Sequence, residues 1–221
     1  MIYATLSADI VSSTSMSAED TMRLKRHLNN FFPIMKGICS DSWGRIIRGD
    51  SMECVMADAR KALRIALSLK CHVKVFVSET ANSEFRKYGI RMALGIGSLR
   101  INDEAEGVID GEAIYLSGRG LNEMSGKETL TIREAENVHR ELPVILGMVD
   151  TFINKATSRQ CEILLLRLQG QNEQQIAEHL GISQAAVNQH SSAASWLQIH
   201  NAVKYFESLQ FDSYFNVKRE V

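Results

Sequence analysis

The sequence predicts an α/β sandwich followed by an all-α domain. Two observations carry that division. Short apolar runs of strand length alternate with stretches of helical period as far as about residue 135, and beyond that point strand signals vanish. The last third also holds the spacing of two helices joined by a tight glycine turn. The predicted boundaries are 1–135 for the α/β domain, 136–156 for a connecting helix and 157–221 for a helix-turn-helix module.

The elements follow in order. "IYATLSADI" alternates in part and ends in a serine-rich turn, which predicts a first strand. Ser17 and Asp20 resemble a capping box, and Met22, Leu24, Leu28, Phe31 and Phe32 give the next helix its apolar positions, with Pro33 expected to kink or end it. "GRIIRGDSMECVMAD" reads as two short strands joined near Gly49 and Asp50. Ala62, Ile65, Ala66, Leu69, Val73 and Phe76 recur with a helical period. "GIRMALGIGSLRI" predicts a glycine-rich strand whose backbone something approaches closely, or which bulges. "GEAIYLSGRGLNEMSG" predicts a helix loosened by Gly118 and Gly120, and "ETLTIR" a short strand. The order βαββαβαβ implies helices over an at least partly antiparallel sheet. "NVHRELPVILGMVDTFINKA" predicts the connecting helix, interrupted near Pro143, and Thr157 is placed to cap the next one. "NAVKYFESLQF" predicts a last amphipathic helix.

Composition excludes several classes. The net charge is −1, which argues against a protein that holds nucleic acid by bulk charge. No apolar run is long enough to span a bilayer, and the N-terminus lacks the basic region of a signal peptide. The four cysteines form no zinc or redox spacing, and the six histidines show no ligand spacing. The expectation is a cytoplasmic protein with reduced thiols.

"QQIAEHLGISQAAVNQH" has the grammar of a helix-turn-helix. Ile176, Ala177 and Leu180 share one face, and the small Ala177 lets a second helix cross close by. Gly181 supplies a left-handed turn, Ile182 plugs the space beneath it, Ser183 caps the second helix and Val187 faces the core. That leaves Gln184, Asn188, Gln189 and Ser191 for an outer face, where amides suit adenine edges in a major groove. From Thr151 to Val221 six Lys/Arg balance six Asp/Glu, and the second helix carries no Lys or Arg. A single copy should therefore bind DNA poorly, and binding is expected only from a dimer.

Three N-terminal stretches, "LSADIVSST", "IIRGDSME" and "IDGEAIYLSGRGL", together resemble the class III nucleotidyl cyclase core. The resemblance implies a ferredoxin-like, cyclase-like α/β sandwich in which Asp9 and Asp50 match the metal aspartates and Arg119 the transition-state arginine. Tyr115 stands where the family has asparagine, and the purine-reading positions fall on Ile46 and Val108, which cannot hydrogen-bond a base. Losing such readout removes on the order of 10⁴-fold in discrimination, so cyclase activity is not expected. A resemblance to the bacterial SatD family covers most of the chain, through "ADIVSST", "GDSMEC", "LGIGSL", "DGEAIYLSGR" and the C-terminal module, with departures at Ala8, Ser51 and Met52. It implies a regulatory protein without a defined reaction.

Two aspartates at adjacent strand ends repel one another, which points to a hard cation such as Mg²⁺ between them. Ser12, Ser13 and Thr14 offer hydroxyls and backbone N–H groups to a phosphate, and Arg119 a bidentate pair for a phosphorylated or anionic ligand. Each also has a plain structural use: Asp50 in a turn, Asp9 and the serines as caps, Arg119 in a surface ion pair. The expected function is a DNA-binding transcriptional regulator with a sensory or dimerising cyclase-like domain. The cyclase resemblance implies a head-to-tail homodimer that brings Asp9 and Asp50 of one chain towards Arg119 of the other. The alternatives are a metal-dependent nucleotide-processing enzyme using Asp9 and Asp50, and an interaction scaffold.

Overall fold

The computed structural model describes residues 1–135 and 137–211. Glu136, at the expected boundary, and the last ten residues of the expected module, with Lys218 and Arg219, lie outside the described residues.

The first strand, β1 (Tyr3–Ile10), lies at the centre of a five-stranded sheet. It is followed by α1 (Ala18–Asn29), α2 (Phe31–Ile38), β2 (Ser42–Arg48), β3 (Ser51–Met56), α3 (Ala62–Val75), α4 (Ser83–Tyr88) and β4 (Ile90–Gly97). A small hairpin of β5 (Ile101–Asp103) and β6 (Val108–Asp110) leads into α5 (Glu112–Glu123) and β7 (Leu130–Glu134). The sheet order is β2-β3-β1-β4-β7, antiparallel throughout except for the β4–β7 pair. The chain continues as α6 (Leu142–Lys155), α7 (Ser158–Leu168), α8 (Glu173–Leu180), α9 (Gln184–Ala193) and α10 (Trp196–Ser208).

Alternation along β1 assigns its two faces. Ala4, Leu6, Ala8 and Ile10 are buried in the core with residues of α1, α2 and α3. Thr5 and Ser7 face α5, where both hydroxyls meet Ser117 Oγ, at 3.0 and 2.8 Å. Of the two expectations for the glycine-rich strand, the close approach holds: a Cβ on Gly95 would lie 2.1 Å from the Ala113 carbonyl oxygen of α5. Gly120 does not loosen α5, because it lies against Ala93 and the helix runs unbroken past it. The expected break near Pro33 is present, since α1 ends at Asn29 and α2 begins at Phe31, and the connecting helix starts at Leu142, beside Pro143. Pro33 and Pro143 both fall in the first turn of their helices, where a missing N–H costs nothing.

Helix α3 departs from the one-faced helix that its period suggests. It is buried along almost its whole length, because the sheet covers one side and α6, α7 and α10 the other. A single apolar core therefore runs from β1 through α3 to Cys161, Leu164 and Leu168 of α7 and to Ile199, Val203 and Phe206 of α10. Polar links reinforce it. The buried Lys70 ammonium donates to Asp150 of α6 and to Thr129 Oγ1. Lys74 Nζ donates to the carbonyls of Ile153 and Asn154 at the end of α6, at 2.8 and 3.0 Å. Among the described residues no helix is long and apolar enough to cross a membrane.

Candidate functional sites

The β1–β3 pairing sets Asp9 opposite Ser51, so Asp9 and Asp50 do lie at adjacent strand ends. The Ile10 N–H donates to the Asp50 carbonyl at 3.2 Å. Their carboxylates, however, are engaged elsewhere. The β1–β4 pairing places Arg91 opposite Asp9, and its Nε and a terminal nitrogen donate to the two carboxylate oxygens at 3.1 and 2.7 Å. Asp50 accepts from Ser13 Oγ at 2.5 Å.

The expected Mg²⁺ site is therefore corrected. The repulsion that called for a cation is already relieved by Arg91, and among the described residues no three His, Cys, Asp or Glu side chains group to hold a metal. The enzyme reading that used Asp9 and Asp50 as metal ligands loses its premise with it. "VSST" forms a short 3-10 turn over Ser13–Ser15. Ser12 sits in the left-handed region and donates to Glu84 at 2.9 Å, Ser13 donates to Asp50, and Thr14 is exposed. Two of the three hydroxyls expected to meet phosphate are thus bonded within the chain.

Arg119 is exposed on the outer face of α5 and has no side-chain partner among the described residues. It lines two open clefts of about 540 and 690 Å³, the first with Arg100 and Tyr115, the second with Glu53, Tyr115 and Asn122. Neither cleft includes Asp9 or Asp50. Tyr115 donates to Asp110, which also pairs with Arg100. Those two bonds hold the Asp110 carboxyl below the usual carboxylate range, with the Tyr115 bond the larger cause. Of Ile46 and Val108, which the cyclase resemblance sets at base-reading positions, Ile46 is half-buried and packs on the core, while Val108 is exposed.

The second candidate site is built on α8 and α9. Capping boxes start α7 (Thr157 with Gln160) and α8 (Asn172 with Gln175). Gly181, at φ +63°, makes the left-handed turn, and Ser183 Oγ accepts from the Ala186 N–H at 3.2 Å. Ile163, Leu166, Ile176, Ala177 and Val187 form a small separate core, with Leu180 and Ile182 packed against it. Gln184, Asn188 and Gln189 are exposed on α9. Ser191 is not: it is 3 % exposed and its hydroxyl accepts from Arg167 Nε at 3.4 Å, so its expected place on the outer face is corrected. The cause is helical geometry, since Ser191 follows the core residue Val187 by four positions.

Arg167 is the residue that the sequence reading missed. It pairs with Glu173 at the start of α8 at 2.5 Å, supports Ser191 of α9 and lies over the Trp196 ring of α10, 5.7 Å from its centroid. Its bond holds the Glu173 carboxyl below its ordinary range, and Glu173 in turn accepts from Asn188 Nδ2 at 3.4 Å. This arginine of the module thus holds helices together, and its charge is not presented to an outside phosphate. The module is also keyed to α3. Arg64 donates to Glu207 of α10 at 2.7 and 3.1 Å and to the Leu168 carbonyl at 2.8 Å. Burial pushes the Glu207 carboxyl up, but Arg64 and Lys61 outweigh it and hold it at about 2.

Residues 155–205 match the family of bacterial regulatory proteins of the luxR type, the GerE domain. No curated protein matches the chain. Similar solved structures include the catalytic core of a rhodopsin-guanylyl cyclase with converted specificity in complex with ATPαS, at 18 % identity and TM-score 0.46, over 63 % of this chain and 79 % of that one. The guanylyl cyclase Cya2 is similar at 14 % identity and TM-score 0.42, over 63 % of this chain and 77 % of that one. Taken together, the chain joins an α/β sandwich to a C-terminal helix-turn-helix domain of the GerE type.

Proposed function

We propose that this protein is a DNA-binding transcriptional regulator of the SatD type. Its cyclase-like domain has lost cyclase chemistry and serves to pair two copies and to sense an anionic ligand at Arg119. The observation that carries this reading is the exposed amide row of Gln184, Asn188 and Gln189 on α9, set on a GerE-type module with its own core. Amides at successive turns of a recognition helix meet base edges, and adenine pairs with Asn or Gln in bidentate fashion. The unpartnered Arg119, between two clefts on the outer face of α5, supports the ligand-binding part.

The charge distribution specifies how such a protein binds. α9 carries no Lys or Arg, and Arg167 is held inside the module. Few phosphates are neutralised per protomer, so two protomers must act together on a two-fold operator with half-sites about one helical turn apart. The test is selection from random DNA with the full chain, followed by titration at several salt concentrations. The expected result is a palindromic motif, a shallow salt slope, and a loss of preference at one base of about 1–3 kcal/mol in Gln184→Ala. If no motif is enriched, the interaction scaffold becomes the better account.

A further inference from the structure

The joint that leads into the helix-turn-helix borders a cavity of about 480 Å³ that no part of the reading above uses. Its apolar wall comes from Phe76 and Val77 just beyond α3, Phe85 on α4, and Ala156 between α6 and α7, and the rest of its lining is polar, with Ser78 and Ser158 among it. Phe85 is buried and meets Phe76 edge-on at 6.3 Å between centroids, which fixes the floor. Val77 is 69 % exposed, an apolar side chain turned to solvent at the mouth. The volume, and an apolar wall with a few polar groups around it at a domain junction, suit a small molecule.

The polar groups around it select the ligand's charge. Lys74 lies at the cavity, but its ammonium is consumed by the carbonyls of Lys87, Ile153 and Asn154. Thr157 is closed into its capping box with Gln160. Arg86 is exposed and has no side-chain partner among the described residues, so its guanidinium is available at the rim. Glu79, also exposed, stands on the same rim and disfavours a multiply charged anion.

We propose that this cavity binds a small aromatic or branched apolar molecule bearing one anionic group, with the apolar part between Phe76, Val77 and Phe85 and the anion on Arg86. The occupant touches α4 on one side and Ala156 to Ser158 on the other, and so bridges the α/β domain to the first helix of the module. Its use as an effector of DNA binding rests on the regulator reading above; its binding does not.

The probes are 1-anilinonaphthalene-8-sulfonate, an aromatic monoanion, and its uncharged relative N-phenyl-1-naphthylamine, titrated by fluorescence against the full chain. Near-UV circular dichroism checks that packing is native in each variant. The expected result is one saturable site for both probes. Arg86→Glu should weaken the sulfonate about tenfold or more while moving the uncharged probe about twofold or less. Val77→Asp should weaken both, since it sets a carboxylate against the apolar wall. Both residues are exposed, so neither change threatens the fold. Absence of saturable binding, or binding that Val77→Asp leaves unchanged, overturns the site. Sulfonate binding that is indifferent to Arg86→Glu overturns the anionic class. A failed DNA selection leaves these titrations untouched, and failed titrations leave the selection untouched, so the two readings fall separately.

Discussion

Replacing Asp150 by alanine should be among the most damaging single changes in the molecule. Lys70 is fully buried on α3, and its ammonium donates to Asp150 of α6 and to Thr129 Oγ1. Asp150 also accepts from the Thr129 N–H at 3.1 Å and from Asn154 Nδ2 at 3.1 Å, so the pair is hydrogen-bonded on both sides. Burial pushes the Lys70 amine down from its ordinary range, and Asp150 is the main force opposing it. Asp150→Ala removes that counter-charge and leaves a buried ammonium with only the Thr129 hydroxyl as partner, a change that costs about 3–5 kcal/mol. For a chain of this length about 2–4 °C of melting temperature goes with each kcal/mol, so the loss is about 6–20 °C. The pH dependence follows in sign. A lysine with a depressed folded pKa binds fewer protons folded than unfolded, so stability rises with pH from the folded towards the unfolded value. The variant's deficit should therefore shrink between neutral pH and about pH 10. Urea and thermal melts of native, Asp150→Ala and Lys70→Met/Asp150→Leu proteins measure this. The double variant should recover most of the loss, since an apolar pair of similar volume often matches a buried ion pair. An Asp150→Ala protein within about 1 kcal/mol of native, or a double variant no better than the single, would refute the reasoning.

Two further outcomes are expected. His27 and His72 stack at 3.9 Å with rings 2° from parallel, each Nε2–H donates to the other's backbone carbonyl at 2.7 Å, and burial disfavours the charged form of both rings. Burial, with the neighbouring His27 second, lowers His72 to about 4, so this stability is present above the unfolded value near 6.5 and is lost as pH falls through about 4. The contribution is about 3 kcal/mol, and His72→Gln should flatten the acid limb of a stability–pH curve. Gly95→Ala should destabilise by about 1–3 kcal/mol or more, because its Cβ would press on the Ala113 carbonyl. Gly118→Ala on the same helix–sheet layer, with nothing within 4 Å of the added Cβ, should stabilise by about 0.5–1 kcal/mol. Denaturant melts of the two variants check both signs.

What was legible in the sequence and what was not divides along physical lines. Local period and turn chemistry spoke for themselves: β1, the hairpin of β2 and β3, α3, and the turn at Gly181 follow from residues within a few positions of each other. The helix-turn-helix was readable because five positions constrain one another over one short stretch. Elements without an apolar signature of their own were not readable, such as the six-residue α4 and the three-residue strands β5 and β6. The Asp9 partner was hidden for another reason. Arg91 lies 82 residues away, and only the β1–β4 register brings it opposite. Nothing local to Lys70 and Lys74 signals their burial, which comes from α6 and α7 lying over them. Ser191 is buried despite its polarity because it follows Val187 by four positions on the same helix face.

The continuity of the core bears on how a regulator of this build would change state. Turning the module against the α/β domain within one chain means separating α3 from α7, the pair that shares Cys71, Cys161, Leu164 and Leu168 in one apolar core. It also means parting Arg64 from Glu207 and from the Leu168 carbonyl, and Glu207 is buried deeply enough that its loss of partners would be costly. A hinge confined to the polypeptide between α6 and α7 is thus opposed by side chains on α3 that contact both helices. A signal that alters DNA binding is then carried more cheaply by the angle between two protomers than by bending within one. Rigid rotation at an interface changes the distance between two recognition helices without disturbing either core. Half-site spacing is sensitive to that distance, so on the paired-regulator reading a ligand at the α/β surface need only reset how two copies meet.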